Sequence, residues 1–269
     1  MQVTELYVYP LKSARAFRLN EARLDEFGIE GDRRWCLLGD DGRVITQRDC
    51  PVLATLDVSP TGDGIELCAA GRELVRVPRP ARERPMLSIQ VWGDRTEGLA
   101  AGAEADTWLE TLLERPCRLL YMPATTRRPV RLRYGHSGDR VSFADGYPLL
   151  LTSEASLVEL NRRLETAVPM DRFRPNLVID GHEPFAEDGW ARIRVGYTEF
   201  RVVKSCARCV VTTTDQRTGA RGREPLRTLA TFRNSSGKVL FGENLIHDGY
   251  RPVRPGDRVE VLERRKEPA

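Results

Sequence analysis

The chain opens on a short-period alternation. In "VTELYVYPL" apolar side chains recur every second or third position, and "RRWCLLG", "VITQR", "LATLDVS" and "IELCA" follow, separated by "DDG" and "TGDG" breaks. Alternation of this kind, punctuated by Asp-Gly and other Gly-containing turns, predicts antiparallel strands and hairpins. After "SIQVWGDRTEG" the period lengthens. Ala105, Trp108, Leu109, Leu112 and Leu113 form one helical stripe, which Pro116 closes. The stretch "PATTRRPVRLRYGHSGDRVSFADGYP" is rich in Pro, Gly and Arg and reads as an irregular connector, so a seam between two units is expected near residue 125. A second helix is expected in "LTSEASLVELNRRLE", where Thr152 or Ser153 can cap the stripe Leu157, Leu160 and Leu164. Strands then return in "NLVID", "RIRVGYTEFRVVKS", "CVVTTTD", "VLFGENLIH" and "DRVEVLE", and the final "ERRKEPA" reads as a solvated end.

Composition narrows the class. A length of 269 residues favours two ordinary domains. With Lys+Arg 42 against Asp+Glu 39 the net charge is only +3, too balanced for a binder driven by counterion release, so any cationic site must be local. The basic residues are almost all arginine. Only Lys12, Lys204, Lys238 and Lys266 are lysines, and a lysine kept in such a chain flags a place for a compact, flexible ammonium. Six cysteines are too few for a disulfide scaffold of this size. The N-terminus shows no signal-peptide pattern, and no run approaches the roughly 20 apolar residues of a membrane span. A reducing, cytoplasmic setting with no membrane partner is the expectation.

Four constellations carry candidate chemistry. In "KSCARCVVTTTDQRTG" Cys206 and Cys209 lie three positions apart, a spacing open to a disulfide, half a zinc site, a redox pair, one working sulfur, or two small half-buried hydrophobes. The β-branched flanks speak against the helix N-terminus that a thioredoxin-type pair needs. A structural zinc would need two further ligands, and no second CxxC or His pair supplies them. Lys204 and Arg208 beside the thiols favour the thiolate, the form that ligates a soft metal. Second, Lys12 and Ser13 in "YPLKS", with Arg33 in "GIEGDRRW", offer an ammonium, a hydroxyl and a guanidinium suited to a phosphate, although Arg33 or Arg34 could equally pair with Asp32. Third, "DRFRPNLVIDG" puts Arg172, Arg174 and Asn176 at the mouth of a strand. Fourth, the cap at Thr152 and Ser153 exposes hydroxyls and N–H groups at a helix N-terminus, a natural anion site, while most caps only cap. The arginine-rich "TTRRPVRLRYG" raises a nucleic-acid reading, which the near-balanced charge and the lack of an aromatic stacking stripe oppose. There is no GxSxG, GxGxxG or Walker motif, and His136, His182 and His247 stand apart.

Taken in order, "YPLKS", "GDRRWCLLGDDGRVITQRDCPVLATL", "LTSEASL", "DRFRPNLVIDG", "PFAEDGW", "SCARCVVTTTDQRTG", "EPLRTLATFR" and "VLFGEN" resemble MOSC-domain proteins that carry an N-terminal MOSC β-barrel, close to the amidoxime-reducing subgroup. The resemblance implies a mostly β, α+β architecture of two units: an N-terminal MOSC β-barrel at 1–125, and at 126–265 a MOSC β-barrel with a few helices. Between them it implies a cleft for a molybdenum cofactor, a pterin dithiolene bearing a phosphate (Mo-molybdopterin). The family's metal ligand falls on Cys209, which becomes the candidate catalytic residue. Its cofactor contacts fall on Lys12, Ser13, Arg33, Thr152, Ser153, Arg174 and Asn176, with Arg208 as an addition beside the ligand. The implied activity is an oxidoreductase that reduces N-hydroxylated small molecules such as amidoximes and hydroxylamines. Electrons are expected from a separate protein, a ferredoxin or a small haem cytochrome with its reductase, and no nucleic acid is expected as partner. The alternative is a molybdenum-cofactor or sulfur carrier without turnover of its own.

Overall fold

The opening alternation becomes the strand Val3–Val8, with Val3, Leu6 and Val8 turned into the core. In the computed structural model, which describes residues 1–265, this strand joins strands from the far half of the chain as well as its immediate neighbour. It pairs antiparallel with Leu177–Ile179 on one side and with Phe17–Leu19 on the other, which places these two strands in a nine-stranded sheet otherwise built from the second half of the chain. From one edge the path runs Val259–Arg264, Trp190–Val195, Thr198–Ala207, Lys238–His247, Leu149–Ser153, Leu177–Ile179, Val3–Val8 and Phe17–Leu19, and the ninth strand, Asn234–Ser235, pairs with Lys238–His247 off this path. Val3, Leu6, Leu151, Leu177, Phe200 and Leu245 share one core beneath it. Burial of that apolar surface ties the two halves of the chain together.

The rest of the first half forms smaller sheets. Trp35–Leu38 lies between Val44–Ile45 and Arg118–Tyr121 in a five-stranded sheet completed by the hairpin Met86–Val91 and Asp94–Ala100. Three further strands, Asp57–Pro60, Gly64–Cys68 and Val75–Pro78, form a meander. Helix α1 (Ala103–Leu113) buries Ala105, Leu109 and Leu113 of the expected stripe and leaves Trp108 and Leu112 half-buried. It ends where Glu114 turns left-handed, two residues before Pro116. The architecture is thus mostly β, with a few short helices, as expected.

Two expectations in the second half are corrected. Helix α2 is shorter than its pattern, Glu154–Asn161; Ser153 both closes the strand Leu149–Ser153 and caps the helix as expected, its hydroxyl accepting the Ser156 N–H, whereas Thr152 belongs to the strand alone. The β-branched "VVTT" is not a strand. Val210–Thr213 is a 3-10 turn, because the Thr212 and Thr213 hydroxyls donate to the carbonyls of Cys209 and Val210 at 2.9 and 2.8 Å. Of the charged tail, Lys266 to Ala269 lie outside the described residues.

Candidate functional site

A cleft of about 600 Å³ opens where the long strand Thr198–Ala207, the connector after residue 123 and the segments around Lys12, Arg33 and Arg48 meet. Seven Lys or Arg side chains line it against two Asp. The cleft is therefore a locally cationic site in a nearly neutral chain. Both lysines flagged by their rarity, Lys12 and Lys204, are among them.

One part of the lining is a dense polar lattice centred on Asp32, which is 1% exposed. Its carboxylate accepts from the Tyr9 backbone N–H at 2.9 Å, from Asn176 Nδ2 at 3.1 Å and from Arg33 Nη1 at 2.5 Å. Arg33 donates on to Asn176 Oδ1 at 3.0 Å and to the Arg174 carbonyl at 3.3 Å. The Arg33 and Arg174 guanidinium carbons lie 4.2 and 4.3 Å from the Tyr9 ring centre. Arg174 Nη1 donates to the Ala14 carbonyl at 2.7 Å, while its Nη2 is buried without a partner. Burial lowers the Arg174 guanidinium to about 10, as expected for a cation held ready beside another cation, Arg33. Behind this lattice the amides of Gln47 and Gln216 bond each other reciprocally at 3.0 and 3.2 Å, joining the two halves of the chain.

Backbone strain collects here as well. Among the described residues, Ser13, Arg33, Trp92 and Arg174, all in the cleft lining, are four of the seven non-glycine residues with positive φ. Such conformations cost of order 1–3 kcal/mol each and persist where surrounding bonds hold them. At Arg33 and Arg174 those bonds are the lattice just described.

Cys209 caps the Val210–Thr213 turn and is half-buried, with its thiol in the cleft. Arg48 Nη2 lies 3.2 Å from its Sγ and 3.5 Å from Asp145, and the Arg48 guanidinium carbon stacks 4.5 Å from the Trp92 ring centre. Cys206, at the end of the strand Thr198–Ala207, is held by a different cation. Arg208 Nη1 is 2.9 Å from its sulfur, and Arg208 Nη2 donates to the Phe173 carbonyl at 2.5 Å. Both cysteines are free thiols. Lys12 meets Asp145 at 2.5 Å. Burial lowers the Lys12 pKa despite this partner, whereas the Asp145 carboxyl, resisting its partly enclosed position, is held well below the usual carboxylate range by Lys12 and Arg48.

The structure brings together Lys12, Ser13, Arg33, Arg174, Asn176, Arg208 and Cys209, all in the lining of one cleft. It does not bring in Thr152 and Ser153. Thr152 is fully buried with its hydroxyl 3.2 Å from the Met170 sulfur, and the Ser153 hydroxyl is spent on the Ser156 N–H, the Ser156 hydroxyl and Glu187. Arg172 turns to Asp215 at 3.1 Å and is likewise outside the lining. Sequence reasoning missed Arg48, Trp92 and Asp145. Arg48 sat in a quoted strand motif, but nothing local marks an arginine that meets a cysteine 161 residues away. Trp92 carried a readable signal, the "WG" turn of a hairpin.

The residues present suit an anionic pterin cofactor with a soft metal. The orphaned Arg174 Nη2 offers a charge-assisted donor, and Cys209 is a soft donor in cationic surroundings. Among the described residues, no group of three or more His, Cys, Asp and Glu is placed to hold a metal through protein ligands alone.

Comparison with known proteins agrees. The family model for the MOSC N-terminal beta barrel domain matches residues 1–116, and that for the MOSC domain matches residues 138–260. Mitochondrial amidoxime-reducing component 1 of Xenopus laevis is 34% identical, over 98% of this chain and 82% of the relative. Its namesake in Homo sapiens is 32% identical, over 97% of this chain and 82% of the relative. A molybdenum cofactor sulfurase of Danio rerio is 33% identical over 93% of this chain, but only 32% of that longer protein is covered. The expectation of a cytoplasmic setting is overturned by these names, since the relatives similar over most of their length are called mitochondrial proteins. No helix among the described residues is long and apolar enough to cross a membrane. The cationic cleft, its half-buried cysteine and the similarity along nearly the whole chain lead to one family: this chain belongs to the MOSC-domain proteins with an N-terminal MOSC β-barrel, the group that includes the mitochondrial amidoxime-reducing components.

Proposed function

We propose that this protein is a molybdenum-cofactor-dependent oxidoreductase that reduces N-hydroxylated small molecules. The relatives' names tie the family to amidoxime reduction and to the molybdenum cofactor. The observation that carries the reading is the Cys209 thiol, lying in the cleft 3.2 Å from Arg48 and among seven cationic side chains. For an amidoxime, one N–O bond breaks, two electrons and two protons are taken up, and an amidine and one water leave. Bound molybdenum would supply the redox couple and the oxygen-accepting position for that exchange.

The chain's own contributions follow from its geometry. Cys209 would ligate the metal as a thiolate, and Arg48 holds that sulfur in place while stacking on Trp92. Lys12, Ser13, Arg33, Arg174 and Asn176 form the cradle for the pterin and its phosphate, with the free Nη2 of Arg174 as the clearest available donor. Arg208 ties the thiol-bearing strand end to Phe173. Thr152 and Ser153 take no part in the cradle, their hydroxyls being committed to Met170 and to Ser156. Electrons come from a separate carrier protein.

The test is molybdenum content and turnover on protein made in a host able to supply the cofactor. Wild type should carry metal and consume an amidoxime when reduced viologen is the electron source, and absence of molybdenum would refute the proposal. A second reading, a carrier of the cofactor, draws on the similarity to the sulfurase. Retained metal with no viologen-driven turnover across amidoximes and hydroxylamines would favour it.

A further inference from the structure

The arginine-rich connector that first suggested nucleic acid is not used by the cofactor cradle. Its arginines divide into two kinds. Arg128 is 2% exposed and acts as an internal clamp, donating to the carbonyls of Ser142 and Ala144 at 2.6 and 2.5 Å and pairing with Asp94 at 2.9 Å. Arg127, Arg131 and Arg133 point outward and are exposed. Among the described residues none of the three has a carboxylate partner, whereas other arginines of this surface do. Arg201, for example, pairs with Asp139 and Asp248 at 2.9 and 2.8 Å.

The connector that bears these three cations also gives Pro129, Arg131 and Tyr134 to the cleft lining, with Arg133 packed 5.4 Å from the Tyr134 ring centre, and the mouth there is also apolar. Arg131 itself lines the cleft, as does Trp92, which is 57% exposed at the tip of its hairpin, and Leu132 between the arginines is 74% exposed. Large exposed apolar side chains ringed by charge mark an interaction surface. The clamp by Arg128 ties this connector to the 142–144 carbonyls and to Asp94 of the Trp92 hairpin, and Trp92 packs on Arg48, the partner of Cys209, so that a molecule seated on the collar would sit at the mouth of the cleft that holds the thiol.

We propose that the collar Arg127, Arg131, Leu132, Arg133 and Trp92 is the docking surface for an acidic, one-electron carrier protein, resting on the reductase reading above. Each N–OH reduced consumes two electrons, so a one-electron carrier must dock and leave twice per turnover. That demand suits a small, charge-steered contact with a fast on-rate over a large tight one. Charge complementarity selects an acidic partner. A single-stranded nucleic acid shares that charge but also needs free ring faces for stacking, and here Trp92 already carries Arg48 and Tyr134 carries Lys204 at 4.8 Å.

The experiment uses cofactor-loaded protein and two probes, a fluorescently labelled plant-type ferredoxin and an acidic small haem cytochrome, compared between wild type and the double variant Arg127→Glu/Arg133→Glu. Neither substituted residue lines the cleft. At low salt at least one probe should bind wild type, weaken about tenfold or more in the variant, and lose affinity steeply with added salt. Viologen-driven turnover should stay within about twofold of wild type. Equal binding to wild type and variant, no binding of either carrier, or a parallel fall in viologen-driven turnover would each overturn the proposal. Arginine-dependent, salt-sensitive binding of a single-stranded oligonucleotide, with carrier binding unchanged, would overturn it in favour of nucleic acid. Absence of viologen-driven turnover in wild type would sink the reductase reading and leave the carrier-binding result to be judged on its own.

Discussion

The part of the cleft lining around Arg33, Arg174 and Asn176 and the part around Cys206 and Cys209 are built from the same residue types, arginines and small polar groups, but in opposite ways. Around Asp32 nearly every donor is committed: one buried carboxylate receives a guanidinium, an amide and a backbone N–H, and two left-handed arginines are fixed against one tyrosine ring. Around the thiols each sulfur has one arginine contact, and the backbone is a strand end passing into a short 3-10 turn. A cradle for a rigid anion gains from donors fixed in advance, because less ordering remains when the ligand binds. A ligand to a redox-active metal needs an accessible soft donor in a supportive field. The difference teaches that the lattice should govern folding and cofactor affinity, while the thiol wall should govern metal retention with little effect on the fold.

The sharpest way to break this contrast is Cys209→Ala. Molybdenum, measured by elemental analysis, should fall to background, with amidoxime turnover lost by at least about a hundredfold, as expected when the sole protein ligand is removed. Thermal unfolding of the cofactor-free protein should barely change. The reverse pattern belongs to Asp32→Ala. Removing the buried carboxylate that neutralises partly buried Arg33 and accepts three hydrogen bonds should destabilise the fold by about 3–5 kcal/mol, read by urea denaturation, and a loss below about 1 kcal/mol would show that the lattice is not structural. Between these lies Arg174→Lys, which keeps the charge and removes the planar fork. Cofactor affinity should drop by about 1.5–3 kcal/mol with a smaller change in stability, measurable as cofactor retained through gel filtration.

A fourth test separates the two walls by pH. Glu243 lies opposite Ser205 beneath the thiol-bearing strand, fully buried, with Arg265 at 2.6 Å. Burial raises its carboxyl to about 7 despite Ser205 and Arg265. The folded state therefore holds a proton that the unfolded state has released between about pH 4.5 and 7, so stability should fall as pH rises through that window. Glu243→Gln should flatten this slope in thermal melts taken from pH 5 to 8, and an unchanged slope would assign it elsewhere. The smallest effect is expected for Cys206→Ala, which should keep molybdenum within about twofold of wild type. Equal metal loss from the Cys206 and Cys209 variants would erase the distinction between the two thiols.

Much of this was legible along the chain where the signal is local. The Ala105, Leu109 and Leu113 stripe became a buried helix face, and the Ser153 cap was real, accepting the Ser156 N–H at 3.1 Å. What failed was the inference from a cap to an exposed anion site. Whether a cap's hydroxyl is free depends on what packs over it, and Glu187 arrives from 34 residues away to claim it. The β-branched "VVTT" misled in the other direction, since propensity favoured a strand and threonine hydroxyls bonding back to the chain made a turn.

By itself the sequence determined the class of the protein. Period and turn residues specify hairpins and helices through interactions spanning a few positions, the near-neutral charge requires any cationic site to be local, and eight ordered motifs mark the family. Only the tertiary structure decided which of these residues share a cleft. It carried Val3–Val8 into the sheet of the other half, set Arg48 against Cys209 across 161 residues, and turned Arg128 inward while Arg127 faces solvent. Contacts of that range depend on the packing of whole sheets against one another, and no local pattern encodes them.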